Sequence, residues 1–336
     1  MSRAVLDAHN GSVSVVVPLL NEAETLDHLI ASIVHILEGE DLPFEVLLVD
    51  DGSTDGTWQA ICDASAVDAR VVGLSLSRNF GKDAAIFAGL REASGDAVIV
   101  MDGDLQHPTS VIPELITRWR SGAQVVEGVK RTRAGQPFAV RFGARTFNRA
   151  FSRSTGVDLT DATDLRLLSR AAVEALLELP EHAVFFRGTS TWIGFRREQV
   201  EFDVEPRPHG TSRFSVLALA RFAVRSLTAF TSAPLHLVTL LGVAFALFSV
   251  ALGSHTLISW MRGVAVEGFT TVILLLLIQG SAILLGLGVI GEYLARIHDE
   301  VKARPRFIVE ARTASRHPGG EGRVVHERTA QPVGEP

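Results

Sequence analysis

Two stretches without a single Asp, Glu, Lys or Arg, from Ser226 to Met261 and from Gly268 to Gly291, constrain this chain more than any other feature. Each is longer than the roughly 20 residues needed to cross a bilayer core of about 30 Å. The second reads as one helix through FTTVILLLLIQGSAILLGLGVIG. The first is too long for one straight span, and Pro234 offers a break, because proline is tolerated at a helix start but not inside one. Spans are therefore expected at about 235–258 and 269–290, within a membrane segment covering 233–293. A buried hairpin in a large soluble core is the alternative, disfavoured because runs this long and charge-free are rarely soluble.

The stretch SVLALARFAVRSLTAF sets Arg221 and Arg225 four apart among Leu217, Leu219, Phe222, Val224 and Leu227. That pattern suits an amphipathic helix in the membrane interface over 213–232, although a buried helix of the soluble domain has the same periodicity. Arg213, Arg221 and Arg225 precede the first span, Arg296, Lys302, Arg304 and Arg306 follow the second, and the connector MRGVAVEG holds only Arg262 against Glu267. Basic flanks stay inside. The chain is thus expected to be a multi-pass protein of the cell (inner or plasma) membrane, with its soluble domain and both termini cytoplasmic. A flexible N-terminus (1–11), a juxtamembrane segment (294–310) and a disordered tail (311–336) complete the plan; the tail is rich in Gly, Pro, Arg and Glu.

Net charge is −6, from 32 basic and 38 acidic side chains. This gives no support to coating of nucleic acid through bulk charge. Cys62 is the only cysteine, which excludes a disulfide-stapled scaffold.

Residues 12–212 alternate short β-branched runs with helical patterns. Strands are expected at Val13 to Val17, Phe44 to Val49, Val71 to Leu76, Ala97 to Met101 and Gln124 to Glu127. Helices are expected at Glu22 to Leu37, Asp55 to Ala64, Lys82 to Ala93 and Thr109 to Arg120. Such alternation means an α/β domain with a mainly parallel sheet covered on both faces. Ligands of such sheets bind beyond the carboxyl ends of the strands.

Those ends carry chemistry. Pro18-Leu19-Leu20-Asn21-Glu22 follows the first strand, with no GxGxxG for a dinucleotide. Asp50-Asp51-Gly52-Ser53-Thr54-Asp55 follows the second. Asp55 or Ser53 could cap the next helix, but adjacent Asp50 and Asp51 are costly unless a ligand or cation uses them. Met101-Asp102-Gly103-Asp104-Leu105-Gln106-His107-Pro108 follows the fourth. Asp102 and Asp104, with the amide oxygen of Gln106, are hard oxygen ligands that suit Mg2+ or Mn2+. An ion so held, with open positions, binds diphosphate oxygens and neutralises a departing phosphate. A lone DxD is weak; beside the other two turns it becomes specific.

The series PLLNE, VDDGSTDGT, SRNFGKDAAIFAGL, MDGDLQHP, GVKR, TDLRLLSR and RPHGTSRF, followed by two spans, resembles the family-two inverting glycosyltransferases of GT-A fold. Within them it is similar to the polyprenyl-phosphate branch, and it lacks the QxxRW of processive polysaccharide synthases. The resemblance implies a GT-A domain and transfer of a hexose from a nucleoside-diphosphate sugar, of UDP-glucose or GDP-mannose type, to polyprenyl phosphate. It implies a nucleotide-sugar site at Pro18, Leu20, Asn21, Glu22, Asp50, Asp51, Lys82, Asp102, Gly103 and Asp104, with metal at Asp102, Asp104 and Gln106. It also implies an acceptor-phosphate site at Arg131, Arg141, Arg145, Arg207, Ser212 and Arg213. Leu20 stands where an aromatic often occurs, Gly103 replaces the usual alanine, a harmless change, and Arg213 replaces a common lysine.

A phosphate acceptor is already anionic, so its attack needs no general base, and what the site must supply is charge management by arginine. The catalytic candidates are Asp102, Asp104, Arg131, Asp161 and Asp164. Asp164 has a competing structural reading, as a partner of Arg166 or a helix cap. Lys82 reads equally as a diphosphate ligand or as an exposed helix-start lysine. His107 and His209 are expected as loop residues, and Trp192 and Phe195 as core. Gly286, Gly288 and Gly291 permit close helix packing and hence a homo-oligomer. The competing functions are transfer to a polysaccharide or lipid hydroxyl, and a non-catalytic nucleotide-sugar-binding membrane scaffold.

Overall fold

The structure, a computed structural model, describes residues 11–104, 107–131, 162–181, 185–203, 233–262, 268–302 and 304–313. They divide into two compact units, one holding the sheet together with residues 305–313, the other the two long helices.

In the first unit, strand β1 (Val13–Leu19) is buried along its whole length, as a continuous apolar run covered on both faces must be. It pairs in parallel with β2 (Phe44–Asp50) on one side and β4 (Ala97–Val100) on the other, and β2 pairs in parallel with β3 (Val71–Leu76). Helices α1 (Leu26–Glu38), α2 (Thr57–Val67) and α3 (Lys82–Glu92) make the crossovers. Helix α1 buries Leu26, Leu29, Ile33 and Leu37, the three-or-four spacing of one helical face. The chain winds outward from β1 to β3 and then returns to the far side of β1. The topological switch, where such sheets open a crevice, therefore lies between β1 and β4.

Beyond β4 the sheet becomes mixed. Helix α4 (Ile112–Arg120) leads to β5 (Val125–Lys130), but β4's neighbour is β6 (Ala162–Ser169), antiparallel to both β4 and β5. Helices α5 (Arg170–Leu177) and α6 (Phe186–Trp192) precede β7 (Arg197–Phe202), which pairs in parallel with β5. At the other edge β8 (Val309–Arg312) runs antiparallel to β3, giving the order β7-β5-β6-β4-β1-β2-β3-β8. Strands β6, β7 and β8 go beyond the five expected from sequence, because each carries charges that break up its apolar pattern.

Two cores cover the two sheet faces. Val13, Val15, Val17 and Leu19 pack with residues of α1 and α4, while Val16, Leu47 and Val49 pack with α3 and α5. Phe195 packs against the second core, but Trp192, expected as core, is 58% exposed at the end of α6.

Strand β8 corrects the expected start of the tail at 311. Ala311 is buried, and the backbone N–H of Thr313 donates to the carbonyl of Gly73 at 3.0 Å. Thr313 Oγ1 in turn accepts from Gly73 N–H at 2.8 Å and from Ser65 Oγ at 2.9 Å. The stretch looks disordered by composition, yet an open sheet edge supplies its hydrogen-bond partners.

The second unit contains α7 (Ala233–Met261) and α8 (Phe269–Val301). Both are long and apolar enough to cross a membrane, and Leu240, Leu247, Leu284 and Leu285 are exposed on them. Helix α8 runs past the expected end at 290, since EYLARIHDEV contains no glycine or proline to stop it. A Cβ at Gly286 would stand 3.1 Å from Val238, so this glycine serves packing inside the hairpin; Gly288 and Gly291 have nothing within 4 Å.

Replacing Thr313 by the isosteric valine leaves the buried N–H of Gly73 without its acceptor. A loss of about 1–3 kcal/mol is expected, read as a lowered Tm and faster proteolysis at the C-terminal strand; an unchanged Tm would show that β8 is not held there.

Candidate functional site

The loop after β1 is stitched to the loop after β2. Asn21 adopts φ 56°, a left-handed conformation that asparagine tolerates. Its N–H donates to Ser53 Oγ at 2.9 Å, and its Oδ1 accepts from Thr54 N–H at 2.9 Å. Glu22 N–H donates to Thr57 Oγ1 at 3.0 Å. Ser53 thus braces the first loop rather than capping a helix, while Asp55 accepts from the Thr57 N–H at 3.0 Å in the first turn of α2.

Adjacent Asp50 and Asp51 are both buried and both satisfied by the fold. Asp51 accepts from the N–H groups of Phe80 and Gly81 at 2.7 and 2.9 Å, and Asp50 from Ser53 N–H at 3.0 Å and Ser75 Oγ at 3.3 Å. Burial raises the Asp51 pKa above its ordinary value; the two N–H groups oppose that shift and the charge of Asp50 adds to it. Gly52, at φ 70°, is pressed so closely on the next loop that a Cβ would stand 2.5 Å from the carbonyl carbon of Arg78. The second and third loops are therefore locked together.

After β4, the Asp102 N–H donates to Nδ1 of His107 at 3.3 Å. His107 is buried, with its ring edge-on to Phe202 at 5.6 Å. It is more than the loop residue that the sequence suggested, because it braces the turn carrying the two aspartates. A Cβ at Gly103 would meet Leu19 Cδ2 at 2.5 Å. Leu19 fills the place an alanine methyl would take.

Pro18, Leu19, Leu20, Glu22, Asp51, Lys82, Asp102, Gly103 and Asp104 line one open cleft of about 250 Å³ beyond β1 and β4. Lys82, at the start of α3, is not simply solvated. Its Nζ stands 2.5 Å from Asp102 Oδ1 and 2.5 Å from Asp164 Oδ2. Arg187 of α6 grips the same Asp164 with its fork, Nε to Oδ1 at 3.0 Å and Nη2 to Oδ2 at 2.9 Å. Burial works against the ionised form of Asp164, but Arg187 and Lys82 outweigh it and hold the carboxyl well below the usual range. Burial likewise disfavours the Lys82 ammonium, and Asp102 and Asp164 more than restore it. Next to Lys82, Asp83 accepts from the Phe186 N–H at 3.0 Å and so anchors the start of α6; burial raises its pKa.

Arg166, the sequence's partner for Asp164, takes another carboxylate. Glu127 faces it across the β5–β6 ladder, and the two pair at 3.3 Å with Arg166 fully buried. Burial brings the Arg166 pKa down to about 10, and the charge of Glu127 opposes that fall. Cross-strand opposition prevails over closeness in sequence.

Of the expected site residues, the cleft gathers Pro18, Leu20, Glu22, Asp51, Lys82, Asp102, Gly103 and Asp104, and Asp164 joins through Lys82. Asn21 shapes the loop, and Asp50 is turned to Ser53 and Ser75. Arg131, beyond β5, pairs with Glu201 at 3.4 Å and Asp203 at 3.2 Å, all three well exposed. Gln106, Arg141, Arg145, Asp161, Arg207, Ser212 and Arg213 lie outside the described residues, as do the expected interfacial helix and His209. Arg187 escaped sequence reasoning because a lone arginine in FFRGTS carries no motif.

The residues present fit a hard divalent ion. Asp102 Oδ1 is buried and accepts no hydrogen bond of ordinary geometry among the described residues. Among those residues no three His, Cys, Asp or Glu side chains converge. Asp102 and Asp104 at the cleft would fill part of an ion's shell, and the remaining positions suit phosphate oxygens and water, the mode usual for Mg2+.

Residues 14–177 match the family described as glycosyl transferase family 2. The chain is 37% identical to an uncharacterized glycosyltransferase of Synechocystis over 88% of its own length and 94% of that protein's. It is also 37% identical to a prophage-derived bactoprenol glucosyl transferase of Shigella flexneri, over 89% of this chain and 97% of that one. Among solved structures it is similar to glucosyl-3-phosphoglycerate synthase of Mycobacterium tuberculosis in complex with Mn2+, UDP-glucose and phosphoglyceric acid. That likeness has 23% identity and a TM-score of 0.46, over 67% of this chain and 82% of that one.

Because the folded-state pKa of Asp164 is depressed, its ionised form stabilises the domain above the unfolded value of about 3.9. That contribution is lost as pH falls from there through the depressed folded value. Asp164→Asn is expected to cost about 2 kcal/mol at neutral pH, with the gap to the parent closing below about pH 4. Urea unfolding at several pH values measures it, and a gap independent of pH would reject the ion pairs.

Proposed function

This chain belongs to the family 2 glycosyltransferases, and from that premise we propose that it transfers a hexose from a nucleoside-diphosphate sugar to polyprenyl phosphate, inverting the anomeric carbon. Glucose is the sugar this reading favours, from the relatives named bactoprenol glucosyl transferase. The observation that carries it is the cleft where Asp102, Asp104, Lys82 and the loop after β1 meet at the topological switch.

In this reading Pro18, Leu20, Glu22 and Asp51 face the nucleoside, Asn21 shapes their loop through Ser53 and Thr54, and Asp102 and Asp104, with Gln106, hold Mg2+ or Mn2+. Such an ion offsets the charge gathering on the departing diphosphate. Asp50 acts from behind, by holding the turn through Ser53. Leu20 is 42% exposed at the cleft and offers a base an apolar contact without an aromatic face.

The acceptor phosphate needs no base, and the state of Asp164 agrees with that. A carboxylate held ionised by Arg187 and Lys82 is a poor proton acceptor. Asp164 is thus poorly suited to be the base that transfer to a hydroxyl needs. Arg131, with Arg141, Arg145, Arg207, Ser212 and Arg213, receives the acceptor phosphate. The ion pairs of Arg131 with Glu201 and Asp203 are exposed, a class worth ~0–1 kcal/mol, so a bidentate phosphate can replace them.

A lipid acceptor requires a membrane enzyme. Strand β8 follows α8 in the chain and pairs with β3, so the sheet domain lies on both sides of the hairpin in sequence. If α7 and α8 both cross the bilayer, their even number returns the chain to the side it left. Basic residues flanking the hairpin favour the cytoplasmic side.

Membranes containing the protein, given labelled UDP-glucose or GDP-mannose and a short polyprenyl phosphate, are expected to form a sugar lipid extractable into chloroform and labile to mild acid. Asp104→Asn is expected to lower turnover at least about 100-fold with an unchanged Tm. No sugar lipid from any nucleotide sugar would overturn the activity, and full turnover by the variant would overturn the metal assignment.

A further inference from the structure

The two cations around Asp164 are held in different ways. Arg187 engages both carboxylate oxygens in a fork, at 3.0 and 2.9 Å, and a planar guanidinium so placed is a fixed partner. Lys82 places one flexible ammonium between two carboxylates, and its side chain remains 41% exposed at the cleft. Its contact with Asp102, Nζ to Oδ1 at 2.5 Å, is the same single ammonium's second ion pair.

Asp102 is also one of the two carboxylates assigned above to the divalent ion. The ammonium of Lys82 and an ion at that site would claim the same carboxylate, and two cations at contact distance repel each other. Withdrawal of Lys82 would leave Asp164 uncompensated if the lysine were its only partner. Arg187 removes that obstacle.

Resting on the metal site of the preceding reading, we propose that Lys82 is an exchangeable cation that yields Asp102 to the divalent ion and turns to the diphosphate, while Arg187 is a positioning residue that keeps Asp164 compensated when the lysine leaves. Metal and nucleotide are then coupled through one side chain. Lys82 opposes the ion when it binds alone and assists the nucleotide once the ion is in place, and the coupling is reciprocal. No bond is made or broken in this exchange; only ion partners change.

Opposite signs in one variant test it. Full-length protein in detergent is titrated calorimetrically with Mn2+ alone, and then with UDP and with GDP at saturating Mn2+. Lys82→Met is expected to bind Mn2+ alone about fivefold more tightly and the nucleotide about fivefold more weakly, the scale of a single ion pair at a partly exposed site. Lys82→Gln is measured in the same way and should show the same two signs should the methionine variant fold poorly. Arg187→Ala is expected to bind Mn2+ alone no more weakly than the parent but the nucleotide several-fold more weakly, with Arg187→Lys restoring part of the loss. A structural role for Lys82 would not strengthen Mn2+ binding. Mn2+ affinity in a folded Lys82 variant equal to or below the parent's would overturn the exchange while leaving the metal site standing. Failure of the parent and of the folded Lys82 variants alike to bind Mn2+, alone or together with nucleotide, would overturn both.

Discussion

Asp164, Asp102, Asp104, Asp51 and Asp83 bring five carboxyl groups to one end of a sheet, and the arrangement stands only because cations and backbone N–H groups are set among them. Lys82 bridges Asp102 and Asp164, Arg187 clamps Asp164, and the N–H groups of Phe80, Gly81 and Phe186 serve Asp51 and Asp83. Burial works against the ionised forms of Asp51, Asp83 and Asp164, and these partners oppose it. The carboxylate charge that would hold a divalent ion is thus kept in place by the protein's own positive charges.

That balance depends on how the loops are tied. Asn21 and Ser53 join the first loop to the second, Asp51 joins the second to the third, and Leu19 lies under Gly103 of the fourth. Each tie uses a short side chain or the lack of one. The cleft is consequently a property of four strand ends acting together, which suits a site that must hold a flexible, highly charged donor in one pose.

The chain that follows the two long apolar helices belongs to the sheet unit. Beyond α8 the chain forms the edge strand β8, where Thr313 is held by Gly73 and Ser65 and Arg312 pairs with Glu92 at 2.7 Å. Arg306 stacks over Phe87 of α3 at 5.1 Å and donates to the carbonyl of Leu179. In sequence the two long helices therefore lie between two strands, β7 and β8, of one sheet.

Much of this was legible in the residues. The charge-free runs announced two long apolar helices, the β-branched runs announced β1 to β5, and PLLNE, DDGSTD and MDGDLQHP marked the strand ends where the cleft lies, because helical and strand periodicities and turn chemistry are local properties of the chain. What only the tertiary structure decided is pairing at a distance. It gave Arg166 to Glu127 rather than to Asp164, brought Arg187 and Lys82 to Asp164 from two different helices, turned His107 against Asp102, and added β8 to β3 across more than two hundred residues of sequence. A side chain's charge is written in the sequence, but the carboxylate it neutralises is chosen by which strand ends the folded sheet sets side by side.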